Sequence, residues 1–135
     1  MTWNQMSLNG ITFQGGNDDI IDVEFSSSGE GYIVIDQGGV YTTTNSGINW
    51  TLVTGQTSNM CFPQTVSYFP SAGSYFIAGG GCFEGAIIDQ YDNNTWTTAN
   101  LGMNFSNSQH KVQEMSFSSL TSGLAATKSD YILKT

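Results

Sequence analysis

Apolar and polar residues alternate along Ile21-Asp22-Val23-Glu24-Phe25, the period of a strand with one buried face. A Ser/Gly turn leads to a second strand, Gly31-Tyr32-Ile33-Val34-Ile35. Gly38-Gly39 turns the chain into Val40-Tyr41-Thr42-Thr43. Thr44 to Asn49 form another turn before Trp50-Thr51-Leu52-Val53. The same order returns as Thr65-Val66-Ser67-Tyr68, Ser74-Tyr75-Phe76-Ile77-Ala78, Ala86-Ile87-Ile88 and Thr95-Trp96-Thr97. A third copy runs Glu114-Met115-Ser116-Phe117, Gly123-Leu124-Ala125-Ala126 and Tyr131-Ile132-Leu133, with no fourth strand. In each copy an aromatic residue precedes the next strand's first apolar residue by seven: Phe25 to Tyr32, Tyr68 to Tyr75, Phe117 to Leu124. One hairpin is therefore expected three times.

The three tryptophans, Trp3, Trp50 and Trp96, stand 47 and 46 residues apart in a chain of 135. A period near 45 predicts a repeat architecture. The units are 20–55, 62–101 and 111–135, preceded by residues 1–9 with Thr2-Trp3-Asn4-Gln5-Met6 as a spare Trp-bearing strand. The expected fold is all-β: a single domain of three four-stranded β-propeller blades, the third closed by a strand from elsewhere. Rings usually need 4–8 blades. Three predict a head-to-tail homodimer with six, each N-terminal strand completing the other chain's third blade. The alternative is a piece of a longer propeller.

Composition narrows the partners. Gly, Ser, Thr, Asn and Gln make up 66 of the 135 residues, which suits short strands and turns. Lys+Arg is 3 against Asp+Glu 11, net −8, and the three cations are Lys111, Lys128 and Lys134. With no arginine and so few cations, neither nucleic acid nor an anionic membrane surface is an expected partner. No apolar run is long enough for a membrane-spanning helix, and no signal-peptide pattern opens the sequence.

Thr43-Thr44-Asn45-Ser46-Gly47-Ile48-Asn49-Trp50 resembles the Asp-box of bacterial neuraminidase repeats, Ser/Thr-x-Asp-x-Gly-x-Thr-Trp, with Asn45 in the Asp position and Asn49 in the Thr position. Residues 21–53 around it are similar to blades of photosystem II assembly factor-like propellers. Asp92-Asn93-Asn94-Thr95-Trp96 keeps a degraded form, and the third copy has none. The resemblance implies a blade fold, with Thr43, Asn45, Gly47, Asn49 and Trp50 in a structural role. Sialidase activity does not carry over, because that family holds its substrate carboxylate with arginines.

The remaining chemistry is sparse. His110 is the only histidine, in a polar stretch read as a solvated loop, and no Gly-x-Ser-x-Gly presents a nucleophile. The acidic groups around Asp18-Asp19-Asp22 and Asp89-Asp92 follow no calcium-loop pattern, so no metal and no cofactor are expected. Cys61 and Cys82 sum to 143, as do Tyr68 and Tyr75, so a shared register sets the cysteines opposite each other. Either they form a disulfide, which implies an extracellular or periplasmic compartment, or they are two buried thiols. Phe13, Phe62, Phe83 and Phe105 fall off the strand pattern, in loops. The expected function is a non-catalytic binding or scaffold module with a protein or glycan ligand. One alternative is a lectin with sites between blades lined by Phe62, Phe83 or Tyr91. The other is a glycoside-active enzyme, disfavoured by the missing arginines.

Overall fold

The computed structural model describes all residues except 7, 14–17, 37–38, 55–61, 70–74, 83–84, 93, 100, 102–109 and 129–130, and gives the backbone alone at 75–78 and 82. The described chain is all-β. Strands β1 (Ile20–Phe25), β2 (Gly31–Ile35), β3 (Gly39–Thr43) and β4 (Thr51–Leu52) form sheet 1. Strands β5 (Phe62–Phe69), β6 (Tyr75–Cys82), β7 (Gly85–Asp92) and β8 (Thr95–Thr98) form sheet 2. Strands β9 (Val112–Ser119), β10 (Ser122–Thr127) and β11 (Ile132–Lys134) form sheet 3, which has three strands. Every sheet is an antiparallel meander, each strand pairing with the next in sequence.

The sheets are layered in chain order. One face of sheet 1 (Tyr32, Val34, Val40, Val53) packs on Val66 and Ile87 of sheet 2, with Tyr68, Tyr91 and Trp96 at its margin. The other face of sheet 2 (Ala86, Ile88) packs on Val112, Met115 and Ala125 of sheet 3. The lead strands lie side by side, β1 against β5 and β5 against β9. All five β2 residues are buried, because sheet 2 covers one face of that strand and Ile11 of the N-terminal arm packs against the other.

Polar contacts fix the junction of sheets 1 and 2. Asp22 Oδ2 accepts the Val66 N–H at 2.9 Å, and Asp22 Oδ1 accepts the Val23 N–H at 2.7 Å. Tyr68 donates its hydroxyl to Glu30 Oε2 at 2.7 Å, while its ring lies 4.9 Å from that of Tyr32. Burial and this bond to Glu30 push the Tyr68 hydroxyl pKa up, so the tyrosine stays a neutral donor.

The hairpin does recur three times, and near the turn of the second copy its pairing differs by one from the expected sum of 143. Phe25 pairs with Gly31, Phe69 with Tyr75 and Phe117 with Gly123, an offset of six in every copy. Tyr68 pairs with Phe76 rather than with Tyr75. In the first and third hairpins the phenylalanine ring lies across its glycine partner. A Cβ on Gly31 or Gly123 would run into the Phe25 or Phe117 ring. A register shift between Pro63 and Thr65 then changes the pairing sum by one, so that Phe62 faces Gly81.

Removing the Asp22 carboxylate leaves a buried strand amide without its acceptor. Asp22→Ala is expected to lower unfolding stability by about 1–3 kcal/mol in urea titration, and Asp22→Asn by less.

Candidate functional site

The turn between β3 and β4 spends its polar atoms on itself. Thr43 Oγ1 donates to Asn45 Oδ1 at 3.0 Å and accepts the Gly47 N–H at 3.1 Å and the Asn45 N–H at 3.3 Å. Asn45 Oδ1 also accepts the Asn49 N–H at 3.0 Å. Ser46 and Gly47 both take positive φ, 58° and 81°, and a Cβ at Gly47 would meet Trp50 and Met6. The Ser46 N–H donates to Gly29 O at 2.8 Å, tying the turn to the β1–β2 hairpin. Trp50 is buried against Ile33, Ile35 and Tyr41, with Phe25 edge-on at 5.8 Å.

The aromatic candidates are not gathered into one site. Phe62 opens β5 rather than lying in a loop, and Lys111 Nζ sits 3.9 Å from its ring centroid. Tyr91 lies near the end of β7, its ring 5.1 Å from Trp96 and its hydroxyl donating to Asn94 Oδ1 at 2.9 Å. Phe62 is in the Gly81–Ala86 row of sheet 2 and Tyr91 in the Phe76–Trp96 row, five rows away, or about 17 Å along the strands. Phe83 and Phe105 lie outside the described residues. So does Cys61, and only the backbone of Cys82 is described, facing Gly85 across the β6–β7 turn. The bridge and the compartment inferred from it therefore stay expectations. His110 is half-buried rather than solvated, its ring 5.3 Å from that of Tyr131.

Acidic side chains meet where the lead strands converge. Partial burial, then the neighbouring Asp22 and Glu114 carboxylates, hold the Glu24 carboxyl above its ordinary range. Among the described residues no three His, Cys, Asp or Glu side chains are grouped to hold a metal ion.

The feature that sequence patterning did not reveal is a direction. Trp96 of sheet 2 faces backward onto sheet 1, and its Nε1 donates to Thr54 O at 3.0 Å. Three residues on, Ala99 faces forward onto sheet 3, as does Leu101. Trp50 of sheet 1 likewise faces away from sheet 2, and Val53, three residues on, faces it. Each closing segment thus places a tryptophan on one side and an apolar residue toward the following sheet, and Trp96 meets the preceding sheet. Among the described residues no sheet lies before Trp50 and its buried Nε1 meets no acceptor; the N-terminal arm stands in that place. The Trp50 N–H donates to Asn9 O at 2.8 Å, Tyr41 donates its hydroxyl to Thr12 O at 3.5 Å, and Asn9 bridges Asn49.

The two ends of the stack are exposed. On the outer face of sheet 1, Val23 is 52% accessible, and Phe25 and Leu52 are also exposed. On the outer face of sheet 3, Leu124 and Ile132 are exposed, Ile132 to 76%. Between sheets 2 and 3, at the edge where sheet 3 has no fourth strand among the described residues, lies a cavity of about 370 Å³ with a mixed lining. Ile88, Gln90, Ala99 and Leu101 line it from sheet 2, and Phe117 and Leu133 from sheet 3.

No family model, curated protein or solved structure matches this chain.

The raised Glu24 pKa has a pH consequence. A carboxyl held above its unfolded value favours the fold fully below that value, and this contribution is lost as pH rises through the folded pKa. Glu24→Gln is expected to melt at a higher temperature than wild type at pH 7, the gap closing by about pH 4 in thermal scans.

Proposed function

We propose that this chain is a non-catalytic binding or scaffold module: three blades of a β-propeller that two copies close head to tail into a six-bladed ring. The observation that carries the reading is the directional packing of the closing segments. Trp96 reaches back and Ala99 forward, Trp50 reaches back and Val53 forward, and the order runs on through both exposed ends of the stack. The contact of the lead strands, β1 with β5 and β5 with β9, supports the same reading. The box turn supports the same reading, since Thr43 and Asn45 hold backbone amides. A ring of this kind offers its end faces, built from turns, as binding surface.

The non-catalytic part rests on chemistry. Asp22 and Tyr68 are engaged in holding sheets together, through Val66 and Glu30. A chain without arginine has no bidentate clamp for an anionic substrate. The sugar-binding alternative has less behind it: Phe62 lies under Lys111, Tyr91 packs on Trp96, and the two stand in separate rows.

Sedimentation equilibrium at micromolar concentration is expected to give twice the 14.6 kDa chain mass. A monomer across the whole range contradicts the ring. Saturable binding of a neutral glycan at millimolar concentration or below would move the reading to the lectin.

A further inference from the structure

The Met1–Met6 segment is exposed throughout, and Trp3 is 89% accessible. It nevertheless carries the pattern of a closing segment. Trp3, Met6 and Leu8 repeat the spacing of Trp96, Ala99 and Leu101, and Trp50 and Val53 share its first step. Met6 lies on the sheet 1 side of the arm: its Cε is beside Gly47, in the turn between β3 and β4. Trp3, on the opposite side of such a strand, would face away from sheet 1, and among the described residues it has no sheet there to meet.

We infer that the cavity between sheets 2 and 3, together with the open edge of β11, is the receiving site for the Met1–Leu8 segment of a second copy. In it Trp3 fills the cavity and the segment pairs with β11 as the fourth strand of sheet 3. The inference rests on the ring reading and names the contact that closes it. Three observations fit the occupant to the site. The cavity stands in the gap before sheet 3 as Trp96 stands in the gap before sheet 2, and its 370 Å³, walled by Ile88, Leu101, Phe117 and Leu133 with Gln90 as a polar neighbour, accommodates an indole and its N–H. The edge is ready to pair. Thr127 N–H donates to Tyr131 O and Thr135 N–H to Gly123 O, so by antiparallel alternation Ile132 and Lys134 turn their backbone groups to the open side. Among the described residues this edge has no partner strand, and open backbone groups of this kind are a template for strand pairing.

The segment cannot serve its own sheet 3. Asn9 anchors it on the far side of sheet 1. Sheets pack about 10 Å apart, so the gap lies about 20 Å away, and eight extended residues reach at most about 28 Å. Crossing that distance leaves too few residues to pair with β11. A second copy, whose sheet 1 docks on the outer face of sheet 3, delivers its arm directly to the edge.

The test uses the full chain and a synthetic peptide of residues 1–8. Trp3 is exposed, so Trp3→Ala is expected to fold as wild type by circular dichroism, while its self-association constant weakens at least about 30-fold, the loss of a buried aromatic anchor. The wild-type peptide is expected to bind the Trp3→Ala chain with a blue shift of peptide tryptophan fluorescence. Failure of the peptide to bind, or a Trp3→Ala chain that dimerises as tightly as wild type, overturns the receiving site; a wild-type dimer in that case leaves the ring standing on its sheet faces alone. A monomeric wild type whose Trp3→Ala form still takes up the peptide supports the site and removes the ring.

Discussion

A sheet that is apolar on both faces needs a neighbour on each, and this requirement organises the whole chain. Sheet 2 meets it: Val66 and Ile87 are covered by sheet 1, Ala86 and Ile88 by sheet 3. Sheets 1 and 3 meet it on one side only. A half-exposed Val, Leu, Ile or Phe forgoes on the order of 1 kcal/mol of the transfer free energy that full burial supplies. Val23, Phe25, Leu52, Leu124 and Ile132 all stand in that position. The arm relieves part of the deficit at sheet 1 by placing Ile11 against Ile33, Ile35, Tyr41 and Trp50.

The tryptophans turn this general demand into an ordered one. A strand presents alternate residues to opposite faces. A closing segment with Trp and an apolar residue three positions later therefore touches two different sheets. Trp96 ties sheet 2 to sheet 1 by ring packing and by the Nε1 bond to Thr54 O, while Ala99 and Leu101 tie it to sheet 3. Stacking in one direction follows, and a stack with a direction has unlike ends. Unlike ends can join only head to tail, the type of contact that the proposed ring requires.

Much of the fold was legible in the sequence. The strand alternation in Ile21–Phe25, the repeat spacing of Trp50 and Trp96, and the turn chemistry of Thr43 through Trp50 all rest on local rules, and the strands among the described residues follow them. The register was less legible. Aromatic spacing located the hairpins, but the pairing of Phe25 with Gly31 depends on how a ring lies across a residue without a side chain. The shift between Pro63 and Thr65 was invisible for a similar reason, because it is set by pairing with β6 rather than by composition. Phe62 looked like a loop aromatic because Cys61 and Pro63 on either side give no alternation, yet its row is paired and Lys111 comes from the next unit. The cavity was beyond sequence reading altogether. It is a property of two sheets at a distance, and only Trp3, set apart from a unit of its own, pointed toward it.

The central claim is that the open edge of sheet 3 is a joint between copies. Amide hydrogen exchange at Ile132 and Lys134, followed from dilute to concentrated protein, addresses it most directly. The account predicts fast exchange in dilute solution and protection that grows with concentration in step with dimer mass. Exchange at these two amides that stays fast and independent of concentration would contradict it.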